Sequence, residues 1–359
     1  MNKKFQKTKN VIGVLFAAIA LWSCDEQPEK PVETPVKPGS HGVFILNQGG
    51  YNTNDASLLY YNFETEELSS DLLNGNLGAT GQDMLIYGGK LYISVSGSSN
   101  ITVLDVQNHE LIKRIGLFTT QEVPRTPRYL EAYNGKIYAS CFDGTVIELD
   151  TTQLEVKRSV AVGEFPEGIV AYNGKLYVAN SGGQSANGPH KTLSIIDITS
   201  FEEIKRIEVG PNPYIVKSDG EGNLYLSYQG NWNDVPGGFQ KINTNNEQVS
   251  EIGQLPKQDF VIENGFVWFY DVDYTLVSTG EGKYGKYNLK TQAFSDILEN
   301  SKEIKNTPYG IGVNPYNHDI YIADTDWFNP GNVTIFDHNG QKKQVLEHTG
   351  INPCKFAFY

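Results

Sequence analysis

Several polar residues recur at one fixed place in the sequence, directly after a proline or glycine that begins an apolar stretch. They are Gln82, Arg128, Glu167, Tyr214 and Tyr309, with Lys257 and Cys354 in the same relation to their prolines. Amide, guanidinium, carboxylate and phenol groups together can hydrogen-bond a polar ligand. Arg128 and Glu167 could also form an acid–base pair, although an ion pair is the simpler interpretation.

Aromatic residues lie in polar, glycine-rich segments, where they need more explanation than they do in strands. The set predicted to contact ligand is Tyr51, Phe142, Trp232, Trp327 and Phe328. Exposed rings supply flat contact area at low entropy cost, and neighbouring amides supply adaptable hydrogen bonds. Packing between neighbouring loops is the alternative for any one ring, but the five together favour a ligand-binding rim.

The sequence lacks the spacings that catalytic and metal sites require. The six histidines share no metal-ligand spacing, and Asp324-Thr-Asp326 lacks the glycine and closing glutamate of a calcium loop. Neither a Gly-x-Ser-x-Gly motif nor a phosphate loop occurs. Cys141 and Cys354 are too few for a disulfide framework and are predicted to be buried thiols. We therefore predict a protein that is not an enzyme and that carries no metal or cofactor.

The charge of the chain excludes another class of partner. The formal net charge is −13 at pH 7, and removal of an N-terminal segment rich in lysine would make it more negative. Such a protein repels nucleic acid and anionic lipid surfaces.

The elements that must position these residues are short strands joined by tight turns. Gly168–Tyr172 is followed by Asn173-Gly174 and then by the apolar return segment Lys175–Ala179. Asn-Gly is the strongest short hairpin signal, because both central positions of the turn need positive φ. The string Ala171–Lys175 recurs letter for letter as Ala132–Lys136. The repeated string is therefore a structural turn and not a catalytic motif.

The hairpin unit recurs seven times along the chain. Its return strand carries an aromatic residue at Phe44, Tyr92, Tyr138, Tyr177, Tyr225, Trp268 and Tyr321. A third and a fourth strand follow, as in Thr145–Asp150 and Val156–Val160. Four antiparallel strands in each repeat of about 40–50 residues are typical of a propeller blade. We predict an all-β fold, a seven-bladed β-propeller.

The two ends of the repeat region predict how the ring closes. The first unit, which starts at Gly42, lacks an innermost strand, whereas Asn352–Tyr359 looks like an innermost strand with no unit after it. We therefore expect the C-terminal strand to complete blade one and to remove an open sheet edge. Innermost strands surround the central channel, so the residues after the prolines should lie at its mouth, with the aromatic loops on the same face.

The repeats resemble the YVTN-repeat, or YncE-like, β-propellers. Tyr177-Val-Ala-Asn180 differs by one letter from the string that names that family, and Ser194–Asp197 stands where the family has its next strand. The resemblance covers residues 42–359 and implies the same propeller fold.

Residues 1–23 have the pattern of a lipoprotein signal peptide, with basic residues before the apolar stretch Val11–Trp22. That stretch is too short to span a bilayer as a helix. Leu21-Trp-Ser-Cys24 resembles the lipobox of bacterial lipoproteins, which implies cleavage before Cys24 and lipidation of its thiol. An ordinary secretory peptide is the alternative.

Residues 24–41 contain Asp25-Glu26 and four prolines and carry few apolar side chains. Such a segment cannot bury a core and is predicted to be an extended tether. Acidic residues directly after the cysteine resemble the signal of Bacteroidetes for export to the outer cell surface. The propeller is predicted to occupy residues 42–359.

Three further segments, Val43–Gly50, Leu58–Tyr61 and Asn314–Asp324, resemble the BtuG surface lipoproteins of Bacteroides. The resemblance implies that the propeller face captures cobalamin or a related corrinoid. It also implies a lipid-anchored protein on the exterior of the outer membrane, which hands the corrinoid to a TonB-dependent transporter.

Two alternatives remain open at this stage. The first is a non-catalytic surface propeller that binds a glycan, a peptide or a surface-layer component. The second is an enzyme on the same face, such as a lyase or a lactone hydrolase.

Overall fold

The computed structural model describes residues 37–51, 53–272, 282–298, 304 and 306–359. They belong to one compact unit, Val36–Tyr359. The predicted signal peptide 1–23, the predicted lipidation site Cys24 and the first part of the predicted tether 24–41 lie outside the described residues. Within the described part of the chain, no helix has the length and apolarity that a membrane span requires.

The described residues form β-strands and no helices, which confirms the predicted all-β class. Blade one consists of β27 (Pro353–Phe358), β1 (Gly42–Asn47) and β2 (Ser57–Asn62). Blade two consists of β3 (Gly81–Tyr87), β4 (Lys90–Val95), β5 (Asn100–Asp105) and β6 (Leu111–Gly116). Blade three consists of β7 (Pro127–Tyr133), β8 (Lys136–Cys141), β9 (Thr145–Asp150) and β10 (Glu155–Ala161).

The remaining blades repeat the order of four antiparallel strands from the channel outward. Blade four consists of β11 (Pro166–Tyr172), β12 (Lys175–Asn180), β13 (Thr192–Asp197) and β14 (Glu202–Glu208). Blade five consists of β15 (Pro213–Ser218), β16 (Asn223–Tyr228), β17 (Gly238–Asn243) and β18 (Val249–Gly253). Blade six consists of β19 (Phe260–Glu263), β20 (Phe266–Val272), β21 (Gly282–Asn288) and β22 (Phe294–Asp296). Blade seven consists of β23 (Thr307–Val313), β24 (Ile320–Thr325), β25 (Pro330–Phe336) and β26 (Lys342–Ile351).

The predicted hairpin turn is present in the structure. Asn173 and Gly174 have φ values of 47° and 75°, and the copy at Asn134 and Gly135 has 47° and 76°. Positive φ at both central positions matches the twist of the flanking strands, which fixes the pairing of β11 with β12 and of β7 with β8.

The ring closes at blade one as the sequence predicted. β27 pairs antiparallel with β1, with Val43 opposite Phe358 and Ile45 opposite Phe356. Just before β1, the backbone N–H of His41 donates to the carbonyl oxygen of Tyr359 over 2.8 Å. The first and last residues of the propeller therefore share one sheet, and neither leaves an unpaired inner edge.

The repeating aromatic residues form the core between blades. Phe44, Tyr92, Tyr138, Tyr177, Tyr225, Trp268 and Tyr321 are each no more than 3% exposed. Full burial of a large apolar side chain contributes roughly 1.5–3 kcal/mol of stability. The aromatic residue that marks each repeat in the sequence is thus the residue that holds neighbouring sheets together.

Candidate ligand-binding site at the channel mouth

Seven innermost strands line the central channel. Each contacts the next in a closed circuit: β27, β3, β7, β11, β15, β19, β23 and β27 again. All of them start at the same end of the channel, where the loops between second and third strands also lie. The residues after the prolines therefore lie on the same face as the aromatic loops, and we call this face the mouth.

An unusual backbone conformation precedes five of the innermost strands. Thr80, Thr126, Phe165, Asn212 and Asn352 have φ values between 48° and 59°. Non-glycine residues rarely adopt this left-handed conformation, which persists only where the surroundings impose it. Here each carbonyl oxygen accepts a hydrogen bond of 2.8–3.3 Å from the N–H that follows a second strand, at Ser96, Phe142, Ser181, Gln229 and Gln48 respectively. The start of the innermost strand is thus fixed to the neighbouring loop.

A bulge follows at the start of most innermost strands. Pairing shifts register between Gly81 and Asp83, and again between Pro127 and Leu130. A bulge places two residues opposite one and re-aims their side chains. Consequently Tyr129, next to Arg128, lines the central cavity, and Asp83, next to Gln82, accepts a hydrogen bond from the backbone N–H of Leu130 over 2.9 Å.

On one side of the mouth, Arg128 contacts three other predicted site residues. Its Nε and Nη2 donate to Glu167 over 2.8 and 3.1 Å, and its Nη1 donates to Oε1 of Gln82 over 2.5 Å. The guanidinium carbon lies 4.3 Å from the ring centroid of Phe142, a cation–π contact. Burial raises the pKa of Glu167, and Arg128 offsets part of that rise. The structure therefore brings these four predicted residues together, with Arg128 and Glu167 as an ion pair.

Tyrosines supply several of the other polar groups of the mouth. The hydroxyl of Tyr129 donates to that of Tyr214 over 2.8 Å, and the hydroxyl of Tyr309 donates to Oε1 of Gln48 over 2.5 Å. The ring of Trp327 meets that of Tyr309 edge to face, with centroids 4.9 Å apart. Tyr214, Tyr309 and Trp327 therefore also lie at the mouth.

A polar cavity of about 160 Å³ occupies the centre of the mouth. Its lining comprises Gln48, Gln82, Tyr129, Tyr214, Gln229, Gln258, Asp259, Tyr270, Tyr309, Cys354 and Lys355. Lys355 forms an ion pair with Asp259. Burial alone would lower the pKa of Lys355, but the carboxylates of Asp259 and Asp83 raise it above its ordinary value. The ammonium group therefore stays charged.

The rim aromatics divide into two groups. Phe142 and Trp327 are half-buried against Arg128 and Tyr309, the packed arrangement that the sequence left open. Tyr51, Trp232 and Phe328 are 92%, 65% and 84% exposed, each on its own loop of the mouth face. Three large rings are thus accessible to a ligand on the face that holds the central cavity.

One position of the expected ring, Lys257, differs in the structure. The ammonium group of Lys257 lies 3.5 Å from the carboxylate of Asp271, and the next two residues, Gln258 and Asp259, line the cavity. β19 begins only at Phe260, four residues after Pro256, whereas in most other blades the strand begins at its proline. In blade one Cys354 lines the cavity as predicted, and its thiol donates to the carbonyl oxygen of Leu46 over 3.5 Å. The following residue, Lys355, also lines the cavity and is its charged group in this blade.

Sequence reasoning missed several cavity residues: Gln48, Tyr129, Gln229, Gln258, Asp259 and Lys355. Gln48 and Gln229 each lie four residues after a repeating aromatic, Phe44 or Tyr225, and that spacing could have revealed them.

Cys141 and Cys354 are buried and unpaired, as predicted. Burial raises the pKa of Cys354 to about 12. Within the described ranges, no group of three or more His, Cys, Asp or Glu side chains is placed to hold a metal ion.

A family described as "Domain of unknown function (DUF5074)" matches residues 41–350 of the chain. No curated protein matches the sequence. Among solved structures, hydrazine synthase of Kuenenia stuttgartiensis has a TM-score of 0.59 at 17% identity, over 72% of this chain and 77% of that one.

Two other solved structures give similar values. The computationally designed Ika8 protein has a TM-score of 0.55 at 10% identity, over 89% of this chain and 92% of that one. The dihydro-heme d1 dehydrogenase NirN in complex with DHE has 0.55 at 11%, over 91% and 77%. At these identities the likeness establishes the fold alone.

Proposed function

The chain belongs to the DUF5074 family, and from the geometry of its mouth we propose that it is a non-catalytic binding protein for a corrinoid such as cobalamin. One observation carries the proposal: the exposed rings of Tyr51, Trp232 and Phe328 stand on the face that holds the polar cavity. A corrinoid is a broad, flat macrocycle edged with amide side chains. Its faces suit aromatic rings, and its amides suit glutamine and tyrosine side chains.

The mouth is organised before any ligand arrives. Arg128 is held by Glu167, Gln82 and Phe142, and Tyr309 is held by Gln48 and Trp327. Side chains that are already fixed lose little conformational entropy on binding. A preformed site of this kind supports tight capture of a rigid ligand.

The proposal extends to the place where capture occurs. The protein would be lipid-anchored at Cys24, would face the cell exterior and would pass the corrinoid to a TonB-dependent outer-membrane transporter. This extension is supported by the lipobox-like Leu21–Cys24, by Asp25-Glu26 and by the resemblance to the BtuG lipoproteins. The negative charge of the chain agrees with a small-molecule or protein partner and not with nucleic acid.

A glycan is the second candidate ligand. A cleft of about 330 Å³ lies between blades three and four at the rim, and Phe142, Phe165, Glu164 and Gln184 are among its lining residues. The rings of Phe142 and Phe165 meet edge to face, with centroids 5.5 Å apart. Aromatic surface beside carboxylate and amide groups also suits a sugar ring.

Titration calorimetry of the purified protein with cyanocobalamin tests the proposal. We expect saturable one-to-one binding at or below micromolar concentration. Neutral oligosaccharides titrated in parallel should give no heat. A folded protein that releases heat with a glycan and none with any corrinoid would replace the first candidate by the second.

A further inference from the structure

We propose that the polar cavity at the centre of the mouth receives one primary carboxamide arm of the ligand. The inference rests on the proposed function, because it names the part of a corrinoid that enters the channel. It is carried by the hydrogen-bonding state of four glutamines from four blades: Gln48, Gln82, Gln229 and Gln258.

Three of the four glutamine side chains have an occupied amide oxygen. Oε1 of Gln48 accepts from the hydroxyl of Tyr309, and Oε1 of Gln82 accepts from Arg128. Oε1 of Gln258 accepts from Nε2 of Gln229 over 3.2 Å. The guanidinium group of Arg128 can only donate, which fixes the position of the amide oxygen of Gln82. In the structure, Gln48 turns its oxygen to the hydroxyl of Tyr309, and Gln258 turns its oxygen to Gln229.

The cavity is therefore lined by amide donors. Within the part of the chain that the structure describes, the Nε2 groups of Gln48, Gln82 and Gln258 have no hydrogen-bond acceptor. Gln82 is 5% exposed as a residue, and its Nε2 atom is not fully buried, so a ligand or water in the cavity can accept from it. Gln229 contributes the complementary group, because its Nε2 is used and its Oε1 faces no donor among the described residues.

This arrangement complements both the hydrogen-bond acceptor and the hydrogen-bond donor of a carboxamide. The carbonyl oxygen of such a group has two lone pairs, which suits donation by two of the three Nε2 groups, and its NH₂ can donate to Oε1 of Gln229. The cavity volume of about 160 Å³ is far more than a single water molecule needs. A short amide arm can therefore enter while the body of the ligand stays at the rim.

The charges in and around the cavity favour a neutral group. Lys355 is the one cation among the lining residues, and Asp259 already neutralises it. Arg128, next to Gln82, is likewise paired with Glu167. A carboxylate would find no unpaired cation there and would face the carboxylates of Asp259 and Glu167, which costs free energy in a buried site.

Acetamide and acetate, which have nearly the same shape, test the cavity without any corrinoid. Titrated into the ¹⁵N-labelled protein, acetamide should shift the side-chain amide resonances of Gln48, Gln82 and Gln258 in a saturable manner, and acetate should not. In Gln258→Glu, which keeps the acceptor and removes the donor, the acetamide affinity should fall about tenfold. Gln184→Glu, at the rim, should leave it unchanged. No saturable shift, or equal shifts with acetate, would overturn the inference.

Corrinoids with one carboxamide hydrolysed to a carboxylate separate this inference from the proposed function. We expect one monoacid isomer to bind about 30-fold more weakly than cyanocobalamin at pH 7.5, while the others bind within a few-fold. If every monoacid binds as tightly as the parent, the carboxamide inference fails and the proposed function stands. If cyanocobalamin itself does not bind, the proposed function fails, and the acetamide titration still decides whether the cavity recognises an amide.

Discussion

Arg128 and Glu167 meet in parallel at the channel mouth, with Nε 2.8 Å from Oε2 and Nη2 3.1 Å from Oε1. They begin the innermost strands of adjacent blades, so the ion pair joins blade three to blade four from inside the ring. Gln82, from blade two, accepts a further hydrogen bond from the same guanidinium group. One arginine thus links three blades at the place where the candidate ligand would rest.

Replacing Arg128 by leucine should lower the free energy of unfolding by roughly 3–5 kcal/mol, because it leaves the buried carboxylate of Glu167 without its partner. Urea unfolding at pH 7.5 measures the change. Since the pKa of Glu167 is already raised by burial, loss of the guanidinium should raise it further, and the penalty should shrink at pH 5. The double variant R128L/E167L should recover part of the loss.

Arg206→Leu is the matched control for Arg128. Arg206 forms a similar two-point contact with Glu203, but its side chain is 44% exposed. Exposed pairs contribute about 0–1 kcal/mol, so this variant should be close to wild type. Equal losses in R128L and R206L would show that the mouth pair is not a buried link between blades.

Glu131 should make the stability of the propeller depend on pH between about 4 and 7. Burial raises the pKa of Glu131 to about 7; Lys217 and the backbone N–H of Ala171 oppose the rise, and Asp83 adds to it. The unfolded chain binds this proton only below about pH 4.3. The stability gained from protonated Glu131 is therefore present in full below that pH and is lost as pH rises through about 7.

Glu131→Gln should flatten this pH dependence and leave the variant more stable than wild type at pH 8, by roughly 1–3 kcal/mol. Thermal melts at pH 5, 6, 7 and 8 measure it. A residual slope of the same sign should remain, since burial also raises the pKa of Asp83. Glu164→Gln, at an exposed rim position, should follow wild type. A variant with an unchanged slope would mean that Glu131 titrates normally.

The fold could be predicted from the sequence because each of its signals is local. Asn173-Gly174 specifies its own turn, and the aromatic residue of each return strand reports burial by its position in the repeat. The closing strand could be predicted because the first repeat lacks an innermost strand, and the C-terminal segment is an innermost strand with no repeat after it. None of these inferences required knowledge of a distant contact.

The interior of the site could not be predicted in the same way. Thr80, Thr126 and Phe165 carry no compositional sign of positive φ, and their conformation is imposed by hydrogen bonds from the adjoining loops. The bulges that follow in most of these strands bring in a second residue, as with Tyr129 after Arg128. A reading of one residue per strand therefore found Arg128 and Tyr214 but missed Tyr129 and Lys355.

Deletion of Pro353–Tyr359 should abolish folding. These residues form the innermost strand of blade one, opposite Val43, Ile45 and their neighbours, all of which are fully buried. Loss of the strand exposes that sheet and leaves an apolar edge open to pairing with other chains. Sedimentation and circular dichroism should show aggregated or unfolded protein. A truncation that stays monomeric and melts cooperatively would contradict the closure of the ring by this strand.

Cys24 is expected to carry the lipid anchor, a prediction that concerns residues outside the described part of the chain. Cys24→Ala should lose incorporation of labelled palmitate and should leave the membrane fraction. Cys141→Ala is the control, because that thiol is buried in the propeller and should not affect anchoring. Protease added to intact cells should degrade the wild-type protein. Protection from the protease would place the protein inside the outer membrane and would remove the surface-capture role.

The exposed rings of Trp232 and Phe328 should anchor the ligand at the rim. If a corrinoid face packs on them, truncation of either ring to alanine should weaken binding by on the order of 2 kcal/mol. Calorimetric titration with cyanocobalamin measures the loss, and both variants should unfold like wild type, because neither ring is buried. Tyr316→Ala is the matched control. Tyr316 is 55% exposed and lies between β23 and β24, at the end of the blade opposite the mouth. If all three variants bind with the same affinity as wild type, the corrinoid does not contact the aromatic rim. The exposed rings would then no longer support the proposed function.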